Sequence, residues 1–276
     1  KQTCQGVKMI EPYNEIRKVP LDYQGITSSA YAVQRRDEDR DGTLKWKECG
    51  VVGSNYLLVP NSEVRDLANE IATESKHEWE PMKTFFDGKR YIHFMQCKTE
   101  TTEITQGDDV ALGMGFWNSY DGSTALQFRT FLVRLLCTNG MITKDFMNLM
   151  RFKHNNKSEG YEEQIINAAK VVDNCGEDIE TVANRMRSMV ETPVDLNRLA
   201  HIRENHLSHI PVTLWGKISR RFLDGYGWNN LNNRIDVNMW DFYNACTDVL
   251  WHEEKPTMAS FEHNQVITDK LLKAMA

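Results

Sequence analysis

No apolar run among the 276 residues approaches the roughly 18 that a membrane-spanning helix needs, and no charged stretch leading into an apolar one opens the chain. A soluble, cytosolic protein with no membrane partner is the expectation. The six cysteines, Cys4, Cys49, Cys97, Cys137, Cys175 and Cys246, lie far apart, and none forms a C-x-x-C pair. That excludes the usual spacing of a zinc ribbon or a dithiol redox centre and points to reduced, mostly buried thiols. Also missing are H-E-x-x-H, a G-x-S-x-G elbow and a G-x-x-x-x-G-K-[ST] phosphate loop, and His201, His206 and His209 do not pair at i, i+4. GMGFWN at 113–118 starts like a dinucleotide loop but lacks the third glycine and sits inside an apparent strand. It reads as a strand with close backbone approach. No cofactor is expected, and a chain of this length can bury a full core without metals or disulfides.

A strong overall charge is lacking too. The net charge of −6 does not mark a nucleic-acid binder, which needs local positive potential to displace counterions from phosphates. The charges are nevertheless sorted. Lys1, Lys8, Arg17, Lys18, Arg35 and Arg36 cluster near the start, and Arg129, Arg134, Lys144, Arg151, Lys153 and Lys157 face Asp145 alone across residues 124–158. Arg185, Arg187, Arg198, Arg203, Lys217, Arg220 and Arg221 form a third group, and acidic helical patterns lie between, around 61–80 and 159–180. Solvated helix faces with ordinary bias are the competing explanation of each cluster.

What is present is a change of period along the chain. Residues 29–59 suggest two or three strands around an acidic turn, ending in VVGSNYLLV before Pro60. In NSEVRDLANEIATES, apolar Val64, Leu67, Ala68, Ile71 and Ala72 recur at helical spacing, with Asn61 or Ser62 placed to cap the first turn. Asp87-Gly88 and Asp121-Gly122 each stand between runs rich in aromatic and β-branched residues, a hairpin signal whose central residues take positive φ. From Gly160 the period is helical: YEEQIINAAKVV, EDIETVANRMRSMV, a helix opened by Pro211 with Leu214, Trp215, Ile218 and Phe222 facing inward, and NMWDFYNACTDVLWH with Trp240, Tyr243 and Leu250 on its apolar side. No repeat or linker separates the halves. The expected fold class is α+β, a single domain over 1–276 with an antiparallel sheet and one helix in residues 1–158 packed with helices from 159–276.

DEDRDGTLKWKE at 37–48 fits the calcium-loop template D-x-[DN]-x-[DN]-G-x5-E at every required position. A calcium hand needs a helix leaving the loop so that Glu48 can swing in as a bidentate ligand. Here Cys49, Gly50, Val51, Val52 and Gly53 follow, which favour a strand, and Arg35, Arg36 and Arg40 give the acids partners of their own. A solvated hairpin turn is the stronger reading. Asp108 and Asp109 are an alternative acidic pair for magnesium, against an ordinary turn.

Three stretches, YAVQRRDEDRDGTLKWKECGVVGSNYLLVPNSEVRDLANEI, FWNSYDGSTALQFRTFLVRLLCTNGM and MWDFYNACTDVLWH, together resemble the phage and plasmid proteins grouped as a domain of unknown function. That pattern runs strand, acidic turn, VVG-x-x-Y, Asn-led helix, S-x-D-G and R-x-x-C-x-N, and its segment before VVG is a hairpin. Within the group the chain is most similar to the Drc-type proteins of podoviruses that carry their own RNA polymerases. The resemblance implies a single-stranded DNA-binding protein that regulates phage transcription in the cytoplasm of the bacterial host, with roles in replication or protection of DNA, a phage RNA polymerase as partner and self-association along the strand.

Strand binding without sequence preference combines cations along a groove with aromatic faces on which bases stack. Phe86, Lys89, Arg90 and Tyr91 interleave in one expected hairpin, and Trp117, Tyr120, Phe128, Arg129 and Arg134 in the other, with RFKHNNK at 151–157 after the sheet. Alternation puts Phe128, Leu132 and Arg134 on one parity and Arg129, Phe131 and Val133 on the other, so one arginine belongs at a strand end or edge. Expected nucleic-acid contacts are Arg35, Arg36, Lys89, Arg90, Arg129, Arg134, Arg151, Lys153, Lys157, Arg220 and Arg221, with Trp117 and Tyr120 as stacking rings that compete with a role in the core. Separately, KWK at 45–47 places Trp46 between two lysines as a further candidate DNA contact. The reading is a binding protein rather than an enzyme. Its alternatives are a single-strand annealing or recombination protein and a metal-dependent nuclease using Asp108, Asp109 or the acidic loop.

Overall fold

The computed structural model describes residues 15–39, 41–135, 139–141, 150–151, 161–226, 237–253 and 258–274. Two antiparallel sheets occupy the first half. β1 (Ile16–Tyr23), β2 (Ile26–Glu38) and β3 (Leu44–Gly53) form a three-stranded sheet in that order. After α1 (Asn61–Glu74) come β4 (Trp79–Phe86), β5 (Arg90–Thr105), β6 (Asp108–Ser119), β7 (Gln127–Arg134) and β8 (Asn139–Met141), which neighbour one another in chain order. The short β9 (Met150–Arg151) pairs with the start of β7, making six strands. Helices follow: α2 (Tyr161–Asp173), α3 (Gly176–Val190), α4 (Leu196–Asn205), α5 (Val212–Tyr226), α6 (Met239–Asp248) with a π-helical turn at Val249–Glu253, and α7 (Met258–Ala274). The α+β class read from the period change is the observed one.

The turns explain the registers. At β4–β5, Asp87 N–H donates to the Arg90 carbonyl and Gly88 has φ +96° while Lys89 does not share it, so the two-residue loop is Gly88–Lys89, one position later than the dipeptide signal suggests. Asp87 instead accepts from the Lys89 and Arg90 backbone N–H groups through its carboxylate, the turn-stabilising role short acids favour. Gln24 (φ 49°) and Gly25 (φ 80°) turn β1 into β2, a strand pair that Pro20 and mixed charges in IRKVPLDY hide from periodicity.

One face of the large sheet carries Tyr91, Met95, Met114, Phe116, Phe128 and Leu132 against buried residues of the helices, such as Leu67, Ala168, Met186 and Phe242. The opposite face carries Ile92, Phe94, Trp117, Phe131 and Val133 beneath Trp251 and Phe261. Gly113 and Gly115 in β6 are required by this packing: a Cβ there would stand 2.7 Å from the Phe131 and Trp117 rings respectively, the close approach expected of GMGFWN. The helical core positions fall where the spacing places them, with Ile218, Phe222, Trp240, Tyr243 and Leu250 buried. The four described cysteines, Cys49, Cys97, Cys175 and Cys246, are buried and form no disulfide with one another. The N-terminus of α1 departs from expectation. Its cap position is Pro60, no side chain caps it, and the Asn61 N–H donates to the Tyr120 hydroxyl at 3.0 Å.

Candidate nucleic-acid interface

Strand register assembles one group of charged and aromatic residues on the second face of the large sheet. Phe85 pairs with Ile92, Ile92 with Trp117 and Trp117 with Gln127 across four strands, while Phe94, Gly115 and Arg129 make the adjacent rung. Arg90 lies two residues before Ile92 and therefore on the same face. The Arg129 guanidinium sits 5.0 Å above the Trp117 ring, and its Nε and Nη2 both donate to Gln127 Oε1, at 3.2 and 2.8 Å. Arg90 Nε pairs with Asp87 at 2.9 Å, and β9 sets Arg151 directly opposite Gln127. Lys83 Nζ donates to the Trp251 carbonyl at 2.8 Å, and its burial lowers the ammonium pKa. Trp251 and Phe261 cover Phe94, leaving Phe85, Arg90 and Arg129 partly exposed.

The remaining expected contacts are placed elsewhere. Arg134 belongs to the helix-covered face and donates to both oxygens of Asp108 at 2.7 Å, while Trp240 Nε1 donates to the same carboxylate at 2.8 Å. This corrects its assignment to a DNA surface, since both side chains are nearly buried and a lone buried charge would be costly. Arg129 and Arg134 occupy opposite faces of the sheet, as strand alternation requires. Asp108 is likewise committed to structure rather than presented as an open magnesium ligand. Arg35 is also corrected. It is 6% exposed, pairs with Asp37, lies 5.2 Å over the Phe86 ring and fills the space a Gly88 side chain would need. Trp117 and Tyr120 are 2% and 1% exposed, so neither offers a face to a base. Trp117 supports Arg129; Tyr120 terminates α1, and burial raises the pKa of its hydroxyl.

Arg36 is half-buried on the small sheet and paired with Glu15, Lys89 is exposed at the β4–β5 turn, and Arg220 and Arg221 are exposed on α5, where Arg221 meets Asp248 at 2.5 Å. Lys153 and Lys157 and the side chain of Arg151 lie outside the described residues. The expected cations thus do not share one surface: the large-sheet group, the small sheet and α5 are separate places.

The acidic segment is a hairpin turn, as the flanking valines and glycines suggest. Asp39 N–H donates to the Thr43 carbonyl, Gly42 takes φ +84°, and Glu48 is in β3 opposite Gln34. Asp37 contacts Arg35 and Lys47, Asp39 contacts Lys45, and hydrogen bonds from the Thr43 hydroxyl and N–H lower the Asp41 pKa. Lys45 and Lys47 therefore point away from Trp46, which shares its face with Arg36 and Arg17. No group of three or more His, Cys, Asp or Glu side chains that could hold a metal occurs among the described residues. A cleft of about 490 Å³ between α1 and α2 is lined by Glu70, Glu74, Ile165 and Ile166, a polarity opposed to polyanions. No helix among the described residues is long and apolar enough to cross a membrane.

The family described as domain of unknown function (DUF932) matches residues 48–272. This chain belongs to that family. The DUF932 match contains the whole large sheet and its Arg90–Trp117–Arg129 group, whereas β1, β2 and the acidic turn precede it. No curated protein and no solved structure matches this DUF932 chain.

Proposed function

We propose that this DUF932 protein binds single-stranded DNA without sequence preference and acts as a regulator of phage transcription. The supporting observation is the convergence on one face and edge of the large sheet of Arg90, Arg129, Trp117 and the backbone of Arg151, positions far apart in sequence. A guanidinium held over an indole is a surface on which an unpaired base can stack, and the half-buried Phe85 ring lies on the rung of Trp117. Arg90 and the exposed Lys89 beside it supply charge for phosphates. Each stacked base is worth about 1–3 kcal/mol by alanine substitution. A duplex hides its base faces, so it binds less tightly to such a surface.

The test is a fluorescence-anisotropy titration of a labelled, unstructured oligonucleotide against its duplex. Affinity for the single strand falls steeply between about 50 and 200 mM salt, and the Arg90→Ala/Arg129→Ala double variant weakens binding and reduces the salt slope by about 1 to 2. Equal affinity for duplex, or a flat salt response, counts against the interface. The oligonucleotide stays intact with magnesium; cleavage abolished by a chelator would replace the binding role with a nuclease.

A further inference from the structure

The small sheet presents a second, more open surface that the resemblance does not assign. Its inner face packs Val33, Cys49 and Val52 onto Tyr120, with Tyr31, Tyr56 and Phe86 around them. Alternation turns the intervening residues outward. Arg17, Gln34 and Glu48 form one outward rung, flanked on one side by Arg36 and Trp46 and on the other by Val19, the buried Ala32 and Val51. Leu44 shares the parity of Trp46; it and Val51 are large apolar side chains left exposed, at 57% and 59%.

Arg17 is the organising residue. Its guanidinium lies 3.9 Å above the Trp46 ring, and Nε and Nη2 both donate to Gln34 Oε1, at 3.0 and 2.9 Å. This is the arrangement of Arg129, Gln127 and Trp117 built a second time, from different strands, in a different sheet and in the open. Gln34 uses only one edge of the fork, so the Nη1 donors of Arg17 are not engaged by it. Arg36 stands beside Trp46 and is tied to Glu15 at 2.9 Å by a pair exposed on both sides, of the kind worth about 0–1 kcal/mol and readily exchanged for another anion.

We propose that the outer face of the small sheet is a second single-strand contact, in which an unpaired base stacks on the Arg17–Trp46 column and its phosphate exchanges with Glu15 on Arg36. It rests on the strand-binding reading given above. Glu15, Glu38 and Glu48 outnumber Arg17 and Arg36 on this face, so its contribution comes from stacking rather than from net field. That separates it from the large-sheet group, where Arg90 and Arg129 dominate. The family match begins at Glu48, so Arg17, Gln34, Arg36 and Trp46 precede it, while Glu48 and Val51 of the same face lie inside it.

The experiment repeats the oligonucleotide titration with Trp46→Ala, Trp46→Phe and Arg17→Lys, each checked for a wild-type melting midpoint. Trp46→Ala lowers affinity about fivefold or more while leaving the salt slope unchanged, Trp46→Phe retains most of it, and Arg17→Lys, which keeps the charge but loses the planar fork, behaves like Trp46→Ala. The emission attributable to Trp46, taken as the difference between wild type and Trp46→Phe, changes on adding the oligonucleotide. Wild-type affinity in Trp46→Ala and Arg17→Lys, with Arg90→Ala/Arg129→Ala weakened, overturns this second contact and leaves strand binding standing. Unaltered Trp46 emission at saturating oligonucleotide overturns it as well, without relying on any truncated side chain. Failure of the wild-type chain to bind the strand removes both proposals together.

Discussion

Arg134 and Arg129 stand five residues apart in one strand and have opposite fates, because a strand turns alternate side chains to opposite faces and the two faces meet different chemistry. Arg134 meets Asp108 and Trp240; Arg129 meets Trp117 and Gln127. Arg134→Ala should cost about 3–5 kcal/mol by urea denaturation, since it leaves Asp108 buried without its counter-charge. Its effect on strand affinity, measured where the variant remains folded, should be negligible. His93 makes a second test at this scale. Burial, with the Arg65 charge nearby, lowers its pKa from 6.5 to about 4. The unfolded chain therefore takes up this proton at a higher pH than the native one. The stability associated with neutral His93 is fully present above pH 6.5 and declines as pH falls toward 4, by on the order of 3 kcal/mol. Denaturation curves at pH 7 and pH 4 should show this loss shrink in His93→Phe; an unchanged loss would assign the acid sensitivity to other groups.

At the scale of elements, the Asp87-Gly88 signal located a tight hairpin while Asp121-Gly122 lies in the longer loop between Ser119 and Gln127, and at both places the surrounding contacts were set by distant segments. Gly88 is held at φ +96° with Arg35 of β2 against its α-carbon, so Gly88→Ala meets both backbone strain and a clash with Arg35 Nη1. It should destabilise by more than about 1 kcal/mol, where an Ala substitution at a compatible site would help. The loop after β6 has a comparable link, because Tyr120 receives the first N–H of α1. Tyr120→Phe removes that acceptor while keeping the buried ring. A loss of about 1 kcal/mol in thermal or urea unfolding is expected. A DNA-binding defect in this variant without a stability change would restore Tyr120 to the interface.

For the whole molecule, the large sheet is buried on both faces, whereas the small one rests on the limited cluster of Val33, Cys49, Val52 and Tyr120. Few buried apolar contacts mean a low free energy of local opening. Amide exchange followed by mass spectrometry should therefore show β1–β3 exchanging before β5–β7, and oligonucleotide binding should slow exchange in β1–β3 if the Arg17–Trp46 face is engaged. Equal protection of the two sheets in the free protein would contradict the difference in packing.

The sequence by itself determined the passage from strands to helices along the chain, the inward faces of α1, α5 and α6, the hairpin character of the acidic segment and the close approach in GMGFWN. Those features follow from period, turn chemistry and side-chain size within a few residues of one another. The tertiary structure alone decided which charges face water. Arg35 and Arg134 look no different from Arg36 and Arg129 in the chain, and only the position of Asp37, Gly88, Asp108 and Trp240 in space separates buried ion pairs from exposed cations. The Arg17–Gln34–Trp46 stack was illegible for the same reason: its members come from three strands, and their contact exists only once pairing brings neighbouring strands within about 5 Å of one another.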